Sequence, residues 1–175
     1  MNVPLVLTVI GSDRTGLVES VASLIAAHDG NWLESRMCRL GGEFAGILRM
    51  ELPADREATF TSAIGTLQST GLTVVVRRDQ AGRPASPETV KLELVGQDRP
   101  GIVRQITQVL AAHRVNVEEL STECLSAPMS GETLFKAEAR LHLPDACDMA
   151  VLRRELEKIA ADLMVDVTLS EETNP

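Results

Sequence analysis

The sequence predicts an α+β chain made of two copies of one βαββαβ unit, each a four-stranded antiparallel sheet with two helices on one face. Three observations carry this. Residues 9–35 and 94–120 align with ten identities in 27 positions, and a duplication inside 175 residues makes two small domains the simplest organisation. Strand-length apolar runs are separated by stripes with helical spacing. Breaker residues fall between them at corresponding places in both copies.

The first copy opens with Val3 to Ile10, apolar on both faces. Its counterpart Val90-Lys-Leu-Glu-Leu alternates apolar and charged residues, the mark of a strand with one buried and one wet face. The second face of the first strand is therefore expected to be covered, by the other repeat or by a partner subunit; exposure of Val6 and Thr8 would refute this. Each strand runs into a Gly-x-Asp-Arg-x-Gly turn: Gly11, Asp13, Arg14 and Gly16, repeated as Gly96, Asp98, Arg99 and Gly101.

A helix follows each turn. Leu17, Val18, Val21, Leu24 and Ile25 are matched by Ile102, Val103, Ile106, Val109 and Leu110, a single apolar stripe. Gly30 is expected to end the first helix in a left-handed cap, whereas the second must end at Arg114-Val115 without glycine. His28 and His113 sit in the last turns, where a helix favours a cation.

Extended segments come next, Asn31 to Leu40 and Phe44 to Leu52, then Asn116 to Leu125 and Leu134 to Leu143. Pro53 and Pro144 break them. Helices are expected at Asp55–Ser69 and Ala146–Ala161, and closing strands at Leu72–Arg77 and Met164–Leu169. This order, with short connections, is the ferredoxin-like arrangement. The expected boundaries are a first domain at 1–80, a linker at 81–87 where proline appears without periodicity, and a second domain at 88–175. The hairpin turns at Gly41-Gly42 in the first copy and over Ser126–Thr133 in the second, a longer loop that is either inert or a carrier of binding.

The formal charge is −8, and residues 88–175 carry most of it, which argues against phosphate-backbone binding. With almost no aromatic residues for bases to stack on, no direct nucleic-acid contact is expected. Cys38, Cys124 and Cys147 are widely spaced and lack histidine at ligand spacing, so they read as reduced, buried thiols rather than a disulfide or zinc framework. No metal or cofactor is called for. The N-terminus has no basic leader and no apolar run of membrane-spanning length, so a cytoplasmic protein without a membrane partner is expected.

The turns carry the chemistry. A strand feeding a helix start leaves backbone N–H groups without intrahelical acceptors, which favours a carboxylate above them. Gly16 and Gly101 let a ligand approach the backbone. Asp13 and Asp98 offer an acceptor for an ammonium group, and Asn31 and Asn116 offer amides that donate and accept. A carboxylate, an ammonium and a short side chain describe an amino acid. Structural readings stand beside each: aspartate as an N-cap, glycine serving only the turn, asparagine closing a helix, and Arg14 and Arg99 paired with neighbouring carboxylates. The turns lack the glycine spacing and Gly-Lys-Ser/Thr ending of nucleotide loops, and no catalytic constellation repeats with them, so no enzyme activity is expected.

The Gly-x-Asp-Arg-Pro-Gly-Ile-Val stretch at 96–103, followed by an aliphatic helix and Asn116, resembles the ACT domain, a ferredoxin-like module that binds amino acids and regulates enzymes or transcription. The copy at 11–18 matches without the proline. The resemblance implies ligand contacts at Gly11, Asp13 and Asn31 and at Gly96, Asp98 and Asn116, drawn across a domain pair. Glycine replaces the family's first-position histidine in both turns, and aspartate replaces its turn asparagine. A chain of two such domains with a Ser-Ala-Pro-Met-Ser-Gly hairpin is similar to the glycine cleavage system transcriptional repressor group. That similarity implies a regulator that responds to glycine or a serine-like amino acid and acts by contact with a DNA-bound transcription activator. A ligand-independent assembly module and the regulatory subunit of a metabolic enzyme are the alternatives, and a homodimer is compatible with each.

Overall fold

The computed structural model describes residues 1–79, 89–126 and 133–171. The chain divides into two compact units, Met1–Gly82 and Arg83–Pro175. The expected linker at 81–87 and most of the longer hairpin loop lie outside the described residues. Unit 1 runs β1 (Asn2–Ser12), α1 (Leu17–Ala26), β2 (Asn31–Leu40), β3 (Glu43–Pro53), α2 (Glu57–Ala63), α3 (Gly65–Ser69) and β4 (Leu72–Arg78). Unit 2 runs β5 (Thr89–Gln97), α4 (Ile102–Ala112), β6 (Asn116–Ser126), β7 (Thr133–His142), α5 (Met149–Leu163) and β8 (Val165–Glu171).

Each unit is a four-stranded sheet, ordered β2-β3-β1-β4 and β6-β7-β5-β8, with antiparallel neighbours throughout. Strand alternation puts Leu5, Leu7 and Val9 beside Leu48, Met50 and Leu52 on the helix-covered face, all at 1 % exposure or less. Leu17, Val21 and Ile25 of α1 and Phe60 of α2 close over them. In unit 2 Leu92, Leu94 and Leu141 meet Ile106, Leu110, Leu152 and Leu156. Each such side chain stabilises its unit by roughly 1.5–3 kcal/mol, which gives both units a core without covalent staples.

Four expectations change. The helix expected at Asp55–Ser69 is a 3-10 turn at Ala54–Arg56 followed by α2 and α3, broken at Ile64. Its Thr61 and Ser62 hydroxyls donate back to Glu57 and Ala58 carbonyls, and Gly65 has low helix propensity, so the ladder is weak there. The left-handed residue closing α1 is Asp29 (φ 56°), not Gly30, and Arg114 (φ 57°) takes the same place after α4. Gly30 is needed for packing instead, because a Cβ there would lie 2.8 Å from Ile25 Cγ2. Cys38 and Cys124 are exposed and only Cys147 is partly buried, because β2 and β6 are edge strands. The expectation that the second face of β1 is covered also changes, since Thr8 is exposed and Val6 only half-buried. No helix among the described residues is long and apolar enough to cross a membrane.

Candidate functional site

Both turns are built alike. Gly16 (φ 93°) and Gly101 (φ 99°) take the N-cap positions of α1 and α4 in the left-handed region, where a side chain is strained. Their carbonyls accept from Ser20 N–H at 2.9 Å and Gln105 N–H at 3.0 Å. Among the described residues no side chain caps either helix, so the first-turn N–H groups have no intrahelical or side-chain acceptor. The aspartates are therefore not caps. The backbone N–H of Asp13 donates to the Gly42 carbonyl and that of Asp98 to the Thr133 carbonyl, both at 2.9 Å, which ties each turn to the neighbouring hairpin.

The two carboxylates have different surroundings. Asp13 forms a 2.6 Å ion pair with Arg39 of β2. Asp98 is exposed, and its carboxylate has no hydrogen bond or ion pair among the described residues. Arg39 was not anticipated from the sequence, because the contact crosses the sheet edge.

The remaining turn residues also make structural contacts. A Cβ on Gly11 would lie 2.4 Å from the Gly71 carbonyl oxygen, and one on Gly96 would lie 2.6 Å from Val165 Cα. Both glycines thus let β1 and β5 approach the start of β4 and β8. Arg14 donates to the Thr70 carbonyl, and Arg99 reaches Gln97 Oε1 at 3.1 Å and Met164 Sδ at 3.8 Å. Among the described residues neither pairs with a carboxylate. Both instead reach the segment just before the closing strand, Thr70 two residues before β4 and Met164 one before β8.

Asn31 and Asn116 are exposed, and the sheet holds them away from the turn of their own unit. Asn31 stands opposite Glu51, while Gly11 stands opposite Phe44; Asn116 stands opposite His142, while Gly96 stands opposite Phe135. In each unit seven residues of one strand separate the two positions, about 23 Å at roughly 3.3 Å per residue. A site using both turn and asparagine must therefore draw them from two units. The register also places Glu51 and His142 beside the asparagines. His142 Nδ1 is buried without a hydrogen-bond partner among the described residues, and a lone histidine on a strand carried no sequence signal for that. No group of three or more His, Cys, Asp or Glu among the described residues is placed to hold a metal ion.

Two ferredoxin-like units with paired Gly-x-Asp-Arg-x-Gly turns define the class. The chain belongs to the ACT-domain family, which it matches over residues 3–77 and again over residues 86–161. It is similar to the glycine cleavage system transcriptional repressor of Escherichia coli, at 26% identity over 164 residues that cover 91% of this chain and 85% of the repressor. The crystal structure of an unknown protein from Galdieria sulphuraria superposes with a TM-score of 0.89 at 31% identity, covering 99% of this chain and 100% of that one. A UPF0237 protein of Methanopyrus kandleri is 40% identical over 81 residues, 45% of this chain and 82% of its own length.

Proposed function

We propose that the chain is an amino-acid-responsive regulator that acts on a protein partner and not on DNA. The effector is glycine or a serine-like amino acid, and the partner is a DNA-bound transcription activator, in keeping with the name of the Escherichia coli relative, or a metabolic enzyme. The observation that carries the reading is the unit 2 turn. An uncapped helix start lies behind a left-handed glycine, with a carboxylate next to it that has no partner among the described residues. Backbone N–H groups there favour the ligand carboxylate, and Asp98 favours its ammonium. The ligand's other contacts come from an asparagine of a second unit.

Binding can shift the partner-competent population only by its differential affinity for the two states. A thermal-shift screen against the standard amino acids tests this. A ligand bound only by the folded state at 100 times its Kd adds about 2.7 kcal/mol. A concentration-dependent rise with one small amino acid is expected, and no rise with any of them would overturn the reading.

The Asp13–Arg39 pair favours a second reading for unit 1. There the acceptor is already occupied by a cation, so that turn acts as a structural copy and unit 1 as an interaction module. Asp13→Ala leaving ligand affinity unchanged is the expected result.

A further inference from the structure

The two turns share one frame and differ in one neighbour. In unit 1, Gly11 of β1, Phe44 of β3 and Arg39 of β2 stand in one row across the sheet. In unit 2, Gly96 of β5, Phe135 of β7 and Cys124 of β6 stand in the same row. Each aspartate follows its glycine by two residues, and its backbone N–H is held at 2.9 Å by a hairpin carbonyl at the corresponding place, Gly42 or Thr133. Both edge strands carry their irregularity at the same point, between Trp32 and Glu34 and between Val117 and Glu119. Arg39 and Cys124 are therefore equivalent positions of the fold. Strand alternation from the buried Leu48 and Phe135 puts both on the helix-covered side of the sheet.

What differs is reach and charge. Arg39 Nε lies 2.6 Å from Asp13 Oδ2. A cysteine side chain is too short to reach across in this way and brings no cation, and the Asp98 carboxylate has no partner among the described residues.

We propose that this one position decides which turn accepts the ammonium group of an amino acid. Arg39 is an internal competitor that holds the Asp13 acceptor, and Cys124 leaves the Asp98 acceptor open. This selection rests on the amino-acid reading of the turns and adds the side chain that sets which copy responds. The guanidinium offers the carboxylate the same kind of charge-assisted N–H donors as an ammonium group, so ligand and Arg39 exclude each other at Asp13. The Arg39 side chain is 68 % exposed, so the pair is a modest one, and displacing it weakens a ligand by up to about fivefold.

The backbone amides of Gly16 and Gly101 report the two turns separately in amide NMR spectra of the full chain titrated with glycine and with serine. In the wild type the Gly101 signal should saturate first. Arg39→Cys should tighten binding at Gly16 by about fivefold, and Cys124→Arg should weaken it at Gly101 by as much. Cys124→Met, long but uncharged, should leave Gly101 unchanged. Wild-type affinity at Gly101 in Cys124→Arg, or at Gly16 in Arg39→Cys, would overturn the proposal and leave the amino-acid reading standing. Shifts at neither glycine in any variant would overturn that reading instead. The competitor is then read without an amino acid, from carbodiimide coupling of the carboxylates to glycinamide followed by mass spectrometry. Arg39→Cys should speed the labelling of Asp13 and Cys124→Arg should slow that of Asp98; rates that ignore both substitutions refute Arg39 as a competitor. Since Arg39 and Cys124 are exposed, unchanged circular dichroism melts should accompany all three substitutions.

Discussion

Asp98 and Asp148 both precede a helix, and replacing each by alanine separates a cap from a ligand group. Asp148 is the N-cap of α5, and its Oδ1 accepts from Ala150 N–H at 2.9 Å and Val151 N–H at 3.1 Å. Losing such a cap costs about 1 kcal/mol, a fall in melting temperature of about 4–8 °C for a unit of this size. Asp98 makes no bond through its side chain among the described residues. Asp98→Ala should thus change stability by no more than about 0.5 kcal/mol. Urea titrations of the full chain followed by far-UV circular dichroism, with and without the amino acid found in the screen, give four numbers. Asp148→Ala should be less stable but keep the whole ligand increment, and Asp98→Ala should keep its stability and lose the increment. If Asp98→Ala falls as far as Asp148→Ala without ligand, or retains the full increment, the assignment of Asp98 to the ligand is wrong.

Three further outcomes follow from the packing and the charges. Gly96→Ala forces a Cβ to within 2.6 Å of Val165 Cα, and should cost about 1–3 kcal/mol in a urea titration as β5 and β8 separate. Phe60→Ala empties a fully buried site and removes the edge-to-face contact with His28 at 5.5 Å; a loss of about 3–5 kcal/mol is expected from the same titration. Arg78 lowers the Glu57 carboxyl, and Lys136 and then Lys91 lower that of Glu138, from the ordinary 4.5. A carboxyl depressed in the folded state favours folding above its unfolded value, and that contribution disappears as pH falls through the folded value. Glu138→Gln should therefore flatten the acid limb of a stability–pH curve below about pH 5, and do so less in high salt.

The strands and their order were legible because alternation survives in the sequence. Leu5, Leu7 and Val9 point one way, and the Leu-Pro endings at Pro53 and Pro144 stop the third strand of each copy. Helix endings were less legible. Both α1 and α4 close through a bond spanning five residues, Gly30 N–H to the Ile25 carbonyl and Val115 N–H to the Leu110 carbonyl, and the left-handed residue before it is aspartate in one and arginine in the other. Local propensity points at the neighbouring glycine instead. The partners of Arg14 and Arg99 lie 56 and 65 residues away, beyond any pattern of spacing. Recurrence exposed the turns, but it could not tell Gly16, held by its backbone angle, from Gly11, held by the crowding of β4.

Topology explains why recurrence of the turn and asparagine need not mean that they meet. After the turn the helix runs back along the sheet, so the next strand begins at the far end, and the candidate carboxylate and amide groups of one unit stand about 23 Å apart. No side-chain movement spans that distance, so a single βαββαβ unit cannot assemble the whole set. Duplication frees the two copies to diverge. Asp13 pairs with Arg39 at 2.6 Å, whereas the Asp98 carboxylate has no partner among the described residues, and that divergence separates the two turns as acceptors for an ammonium group. Asp98→Ala should then abolish the thermal-shift response to the amino acid, and Asp13→Ala should leave it intact.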